Sequence, residues 1–214
     1  MVATLYHCAG ARSLRPLWTL EELGLPYELK VLPFPPRVHD KSYFAINPSG
    51  TVPAYVESGF CMTESVAICE YLATRHDPGG LSARPDEPAY AAYLEWLHVG
   101  ETTLTYPLTL VMRYTRFEAP ERRVPQVAED YTRVFLSRLR PLAALLDAGR
   151  GFVCADRFTI ADVSVCYALE LAVIAGLKDQ LPESVRAYRA ALRARPAYAR
   201  ARAAEKAASP APPS

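Results

Sequence analysis

The pattern of apolar and polar positions divides this chain in two. Up to about residue 76 it reads as short strands separated by helices. From Asp86 onward it is rich in Ala, Leu and Arg at helical spacing, and nothing resembles a strand. Residues 2–7 form the first predicted strand and Cys8 to Arg12 a loop. Ser13 then opens a helix whose period is set by Leu14, Leu17 and Leu20. Gly24 can close that helix in the left-handed conformation, with Pro26 just beyond. Tyr27 to Leu32 is a second strand, so the chain begins with a βαβ unit and a parallel pair. A Pro-rich irregular segment, Pro33 to Pro36, leads to a strand that follows Val52-Pro53. Tyr55 to Cys61 reads as a hairpin turning at Ser58-Gly59.

His76-Asp77-Pro78-Gly79-Gly80 is the clearest punctuation in the chain and reads as an interdomain linker. The expected organisation is an α/β domain over 1–76, a linker over 77–85 and an all-helical domain over 86–203. The segment 204–214, low in bulky apolar residues, is expected to be a disordered tail. In the helical half one helix is predicted from Glu87 to Arg116, bent near Pro107. A second is predicted from Glu121 to Ala148 despite Pro125 and Pro141. Phe158-Thr159-Ile160-Ala161-Asp162-Val163 carries a capping box, Thr159 capping the helix and Asp162 reaching back to the Thr159 N-H.

Two features between Asn47 and Leu72 can face one ligand. Val52-Pro53 follows the turn Asn-Pro-Ser-Gly and precedes a short apolar run, Ala54 to Val56. Pro53 lacks an N-H and so belongs at the first residue or the edge of that strand. With a cis bond before it, the backbone of Val52 turns outward, where an extended peptide can pair with it. Thr63-Glu64-Ser65 stands before the apolar face Val66, Cys69, Leu72 of a predicted helix. The start of that helix stabilises a ligand carboxylate, with the Ser65 hydroxyl as an added donor and Glu64 as a partner for an ammonium. Taken singly, Thr63 and Ser65 serve equally as helix caps, and Val-Pro as an ordinary strand start. Together they describe a site for a short amino-acid conjugate.

Composition narrows the classes. The chain has 214 residues, half of them hydrophobic, and a formal net charge of +1 without a run of like charges, so the basic patch of a nucleic-acid binder is missing. Met1 leads directly into strand-like text and no segment has the ~20 apolar residues of a membrane span. A cytoplasmic protein is expected. Five cysteines, Cys8, Cys61, Cys69, Cys154 and Cys166, include no C-x-x-C pair, which argues against a disulfide framework, a zinc site and a dithiol redox motif.

The text NPSGTVPAYVESGFCMTESVAICEYL, residues 47–72, closely resembles the glutathione-binding segment of the cytosolic glutathione transferases, and FTIADVSVCYALE resembles their capped C-terminal core helix. The resemblance extends to about Ala203. It implies a thioredoxin-like N-terminal domain, an all-helical C-terminal domain, glutathione as co-substrate, no metal, and a homodimer. It assigns glutathione contacts to Val52 with Pro53, Glu64 and Ser65. His39, Thr51 and Arg12 are further candidates, the first for the glycine carboxylate.

The resemblance also requires a group that holds the glutathione sulfur as thiolate, because the thiolate is the nucleophile and a free thiol titrates near ~8.5. That group belongs in Tyr6-His7-Cys8-Ala9-Gly10-Ala11-Arg12-Ser13, the junction of first strand and first helix. LYHCAGARSLRPLWTLEELGLPYEL aligns without gaps to the bacterial beta class, but Arg12-Ser13 stands where that class has Cys-Ser. Ser13 is the candidate thiolate donor, with an N-cap as its structural alternative. Tyr6, Arg12, Cys8 and the loop backbone are its rivals. Tyr6 is also a candidate for the second-substrate pocket, with Tyr106 and Arg113 from the long helix. The expected activity is conjugation of glutathione to a small hydrophobic electrophile. The alternatives are a glutathione-dependent isomerase, lyase or peroxidase, or a noncatalytic transferase-like module.

Overall fold

The structure is a computed structural model of the chain and describes residues 2–77 and 80–208. These fall into two units, 2–77 together with 193–208, and 80–192.

The first unit is built on a four-stranded mixed sheet. The strands are β1 (Ala3–His7), β2 (Tyr27–Val31), β3 (Ala54–Glu57) and β4 (Phe60–Met62), in the order β2-β1-β3-β4. β1 and β2 are parallel, joined through helix α1 (Leu14–Leu23), as a βαβ unit requires. β3 runs antiparallel to β1 and β4 antiparallel to β3. Gly24 ends α1 at φ +62°, and the N-H groups of Gly24 and Leu25 bond back to Glu21 and Leu20. Ser58 and Gly59, both at positive φ, turn the β3–β4 hairpin. A short helix α2 (Pro36–His39) and a 3₁₀ turn (Lys41–Ala45) fill the segment before β3, and α3 (Ser65–His76) follows β4. This is the thioredoxin-like arrangement.

Ala3, Leu5 and His7 of β1 are buried, while Thr4 and Tyr6 between them are half-buried, so the strand's two faces differ as its period of two dictates. α1 packs on α3 and on the C-terminal helix α10 (Pro196–Ala208), which also lies against β2. Trp18 of α1 meets Tyr198 of α10 edge-on, with ring centroids 5.0 Å apart, and Glu22 receives two hydrogen bonds from Arg195 at 2.6 and 2.9 Å. Residues 204–208, expected in a tail, are therefore helical, and 193–208 belong to the α/β unit instead of the helical one. The cause is this anchoring, which the Ala-rich text conceals. The rest of the expected tail, 209–214, lies outside the described residues, as do Pro78 and Gly79 of the expected linker.

Among the described residues the second unit contains no strand. The predicted first long helix is an unbroken helical run with two changes of register. It consists of α4 (Tyr90–His98), a π-helical stretch (Val99–Thr105), α5 (Tyr106–Met112) and a second π stretch (Arg113–Phe117). Pro107 stands where the π stretch passes into α5. The predicted second helix is two, α6 (Pro125–Arg138) and α7 (Arg140–Asp147), each with its proline in the first turn. α8 (Ile160–Ile174) is the buried centre, and α9 (Glu183–Arg193) follows it. A Cβ at Gly100 would lie 2.3 Å from Ser164 Oγ and 2.5 Å from its backbone, so only glycine allows the π stretch this close to α8. The capping box forms: Thr159 Oγ1 accepts from the Ala161 N-H and Asp162 accepts from the Thr159 N-H.

Candidate functional site

The register of the sheet gathers three loops at one edge. β1 ends at His7, β3 begins at Ala54 opposite Tyr6, and β4 ends at Met62 opposite Tyr55. The loop Cys8 to Ser13, the Val52-Pro53 bend and the start of α3 therefore emerge together from the same end of the sheet. This is the end at which open α/β sheets bind ligands.

The Val52-Pro53 bond is cis, as is Phe34-Pro35. Thr51 before it is held by three hydrogen bonds. Its carbonyl accepts from the Tyr43 hydroxyl and from Asn47 Nδ2, each at 2.7 Å, and its Oγ1 accepts from Asn47 Nδ2 at 3.2 Å. Asn47 also closes the turn, accepting from Ser49 N-H through its side chain and from Gly50 N-H through its carbonyl. No backbone hydrogen bond among the described residues uses Val52. Its peptide groups stand on a bend fixed from behind by a buried tyrosine and a buried asparagine. Thr51 Oγ1 only accepts from Asn47, so the exposed Thr51 hydroxyl keeps its proton while its carbonyl serves the framework.

Ser65 is the first residue of α3 and only 3% exposed. Its hydroxyl accepts a hydrogen bond from Arg15 Nη1 at 3.1 Å, and Arg15 is fully buried. A hydroxyl has one proton to give, so a donor on its lone pair leaves that proton for an anion at the helix start. The guanidinium adds charge behind the positive end of the helix. Glu64 is the N-cap residue, exposed, with no capping hydrogen bond from its side chain. Neither Thr63 nor Ser65 caps α3.

The junction loop departs most from expectation. Ser13 precedes α1 but is fully buried and makes no side-chain cap bond. Its Oγ accepts from the Cys8 N-H at 3.2 Å and donates toward the Cys8 carbonyl at 3.4 Å. The hydroxyl expected at a ligand sulfur is thus spent within the loop, because the strand ends at His7 and leaves the Cys8 backbone to be satisfied locally. Cys8 is fully buried, its Sγ 3.8 Å from the Pro33 carbonyl, and burial pushes its thiol up to about 12, which removes it as a nucleophile. Gly10 takes φ +70°, and Ala11 N-H bonds back to the Cys8 carbonyl at 3.1 Å. Arg12 is half-exposed on the turn, with its carbonyl accepting from Arg15 N-H.

Tyr6 is half-buried, its ring 5.4 Å from Tyr43 and beneath the Lys30 ammonium at 5.6 Å. His39 is exposed at the end of α2. In the helical unit Tyr106 is 56% exposed, whereas Arg113 is engaged with Glu118 at 2.8 and 2.9 Å. Among the described residues no cluster of three His, Cys, Asp or Glu side chains is arranged to hold a metal, and no helix is long and apolar enough to cross a membrane.

Comparison with known proteins identifies the arrangement. Residues 10–75 match the family described as the glutathione S-transferase N-terminal domain. Glutathione S-transferase 3 of Schizosaccharomyces pombe is 34% identical over 47% of this chain, and protein LigF of Sphingobium is 45% identical over 37% of it. The aligned stretches span only 41% and 31% of those two proteins. Glutathione S-transferase hmp2 of Hypomyces subiculosus is 33% identical over 67% of this chain and 72% of its own length. Among solved structures, Ure2p5 of Phanerochaete chrysosporium, cocrystallized with 1-(S-glutathionyl)-2,4-dinitrobenzene, superposes with a TM-score of 0.82. It is 25% identical, covering 97% of this chain and 96% of that one. With a relative matched over most of its length and a site of this form, the chain belongs to the glutathione S-transferase family.

Proposed function

We propose that this protein binds glutathione in its α/β unit and transfers the thiolate to a small hydrophobic electrophile. The observation that carries the reading is the pairing of the Val52-Pro53 bend, held by Tyr43 and Asn47, with an anion seat at Ser65 backed by Arg15. In this reading Val52 pairs with the cysteinyl backbone. Ser65 and the start of α3 take the γ-glutamyl carboxylate, and Glu64 its ammonium. His39 serves the glycine carboxylate.

The sulfur then faces the loop from Cys8 to Ser13. Its charge is stabilised by the positive end of α1 and the Arg12 guanidinium, while Ser13 keeps the loop in shape. The chemistry balances simply: the thiol proton leaves to solvent, the sulfur lone pair forms the new bond, and the electrophile's leaving group departs with its electron pair. In the helical unit, Tyr106 is exposed on α5 and Arg113 is occupied by Glu118. Detoxification in the cytoplasm as a homodimer completes the proposal. Protein cocrystallized with a dinitrobenzene conjugate of glutathione supports it by relationship alone.

A noncatalytic binding module is the second reading, and the buried Ser13 favours it. Retention on glutathione-agarose followed by conjugation of an aryl halide separates the two. Retention with conjugation supports the transferase. Retention without conjugation of any of a panel of electrophiles, isomerisable substrates and hydroperoxides leaves the module. Failure to be retained sinks both.

A further inference from the structure

The C-terminal helix reaches into the loop on which thiol activation depends. Glu205 of α10 lies 198 positions from His7, yet its Oε1 accepts from His7 Nε2 at 2.8 Å and from the Gly10 N-H at 3.2 Å. His7 is the last residue of β1, and Gly10 is the left-handed residue of the junction loop. One carboxylate oxygen thus ties the end of the strand to the middle of the loop. Its other oxygen is held by Arg202 at 2.6 Å, so the carboxylate cannot rotate away without losing three partners. His7 is fully buried and Glu205 is 5% exposed, which makes the contact strong in the sense that water cannot replace it. Burial alone would raise the Glu205 carboxyl. The His7 hydrogen bond and the Arg202 charge outweigh burial and hold it below the usual carboxylate range.

The rest of α10 and the residue before it are placed by contacts that do not involve the loop: Tyr198 on Trp18, Arg195 on Glu22, and Arg200 on Glu21. The helix would dock without Glu205. What this residue adds is control over the conformation at Gly10, and with it the path of the loop that carries Arg12 to the start of α1.

We propose that Glu205 is a positioning residue for the thiolate site: by clamping His7 and Gly10 it sets the path of the loop that presents Arg12 and the start of α1 to the sulfur of bound glutathione. The role rests on the transferase reading above. It makes the far C-terminus part of the activation apparatus although it touches no substrate.

The test titrates the ultraviolet absorbance of the thiolate of bound glutathione in the full chain, for wild type, Glu205→Ala and Glu205→Asp. Aspartate keeps the charge but is one methylene too short to hold both His7 and Gly10. In both variants the bound thiol pKa is expected to rise by roughly one unit and kcat/KM below it to fall by up to about tenfold, with affinity for S-methylglutathione within about twofold of wild type. S-methylglutathione has no ionisable thiol, so it reports binding alone. Should Glu205→Ala fail to fold, Glu205→Asp decides. A folded variant whose thiol pKa stays within about 0.2 unit of wild type overturns the role. A wild type that binds no glutathione overturns the transferase reading along with it.

Discussion

The buried guanidinium of Arg15 donates to the hydroxyl of Ser65 at 3.1 Å, joining the first turn of α1 to the first residue of α3 across 50 positions of sequence. This contact turns an ordinary serine at a helix start into a directed donor. Replacing Arg15 by Met keeps most of the volume but removes both the charge and the direction. The dissociation constant for glutathione is expected to rise by roughly tenfold, because the bound carboxylate loses the oriented hydroxyl and the buried charge behind the helix start, an effect worth up to about 2 kcal/mol. Maximal turnover at saturation should change much less. Arg15→Lys should recover part of the affinity. Calorimetric titration with glutathione checks this, and equal affinities for wild type and Arg15→Met would refute it.

Gly50 should tolerate nothing else. It sits at φ +62° in the turn before Thr51, and a Cβ there would lie 2.6 Å from the Arg37 Cβ and 2.9 Å from the Phe44 ring. Strain of this kind costs on the order of 1–3 kcal/mol. The bend that carries Val52 begins one residue later. Gly50→Ala is therefore expected to weaken glutathione retention more than it lowers the melting temperature. By contrast Gly59→Ala, also at positive φ but with nothing within 4 Å of the new Cβ, should lower stability slightly and leave retention alone.

Asp162 gives the helical unit a defined pH response. Burial raises its carboxyl from 3.8 to about 6, against hydrogen bonds from the Thr159 and Val153 N-H groups and the Tyr188 hydroxyl that favour the charged form. The raised folded value means that the native state binds this proton more tightly than the unfolded chain does. The resulting stabilisation is fully present below about pH 4 and is lost as pH rises through 6, a change of at most about 3 kcal/mol. Asp162→Asn should abolish that step. It should also destabilise the unit by about 2 kcal/mol, because an amide cannot accept at both oxygens and leaves an N-H unpaired. Thermal melts between pH 4 and 7 measure both effects; an identical pH profile in wild type and variant would contradict the assignment.

Much of this architecture is legible in the text. Gly24 before Leu25-Pro26 marks a helix end, Ser58-Gly59 a hairpin, and Thr159 with Asp162 a capping box, because each signal is local. Contacts that build the site are not local. An arginine between Leu14 and Leu17 carries no period that marks it as buried, and nothing near Ser65 announces a partner 50 positions earlier. Ser13 illustrates the limit from the other side. Its place before the helix is readable, but whether its hydroxyl faces a ligand, a cap or the Cys8 backbone depends on how the loop curls at Gly10. The same holds for 204–208, where Ala-rich text reads as a tail until Tyr198 and Glu205 find their partners.

The cysteines should report their burial directly. Cys8, Cys69, Cys154 and Cys166 are buried, Cys61 on β4 is exposed, and none of the five is in a disulfide. Burial drives the Cys8 and Cys69 thiols up to about 12. A thiol reagent at neutral pH is expected to modify one cysteine rapidly in the native protein and all five after denaturation, and Cys61→Ser should remove the fast phase. Rapid labelling of Cys8 in the native state would show the junction loop to be open.

Ser13→Ala separates a structural role from a chemical one. Ser13 Oγ is the acceptor for the buried Cys8 N-H, so alanine orphans that donor, at a cost of roughly 1–3 kcal/mol. If the hydroxyl acts only through the loop, activity should fall in proportion to loosened glutathione binding, and a nonionisable analogue such as S-methylglutathione should lose affinity by the same factor. A hydroxyl that rotates to meet the sulfur instead would raise the bound thiol pKa while leaving the analogue's affinity intact. The geometry favours the first outcome, because the hydroxyl is fully buried and already faces both polar groups of Cys8. The second would return Ser13 to the thiolate and require the loop to open when glutathione binds.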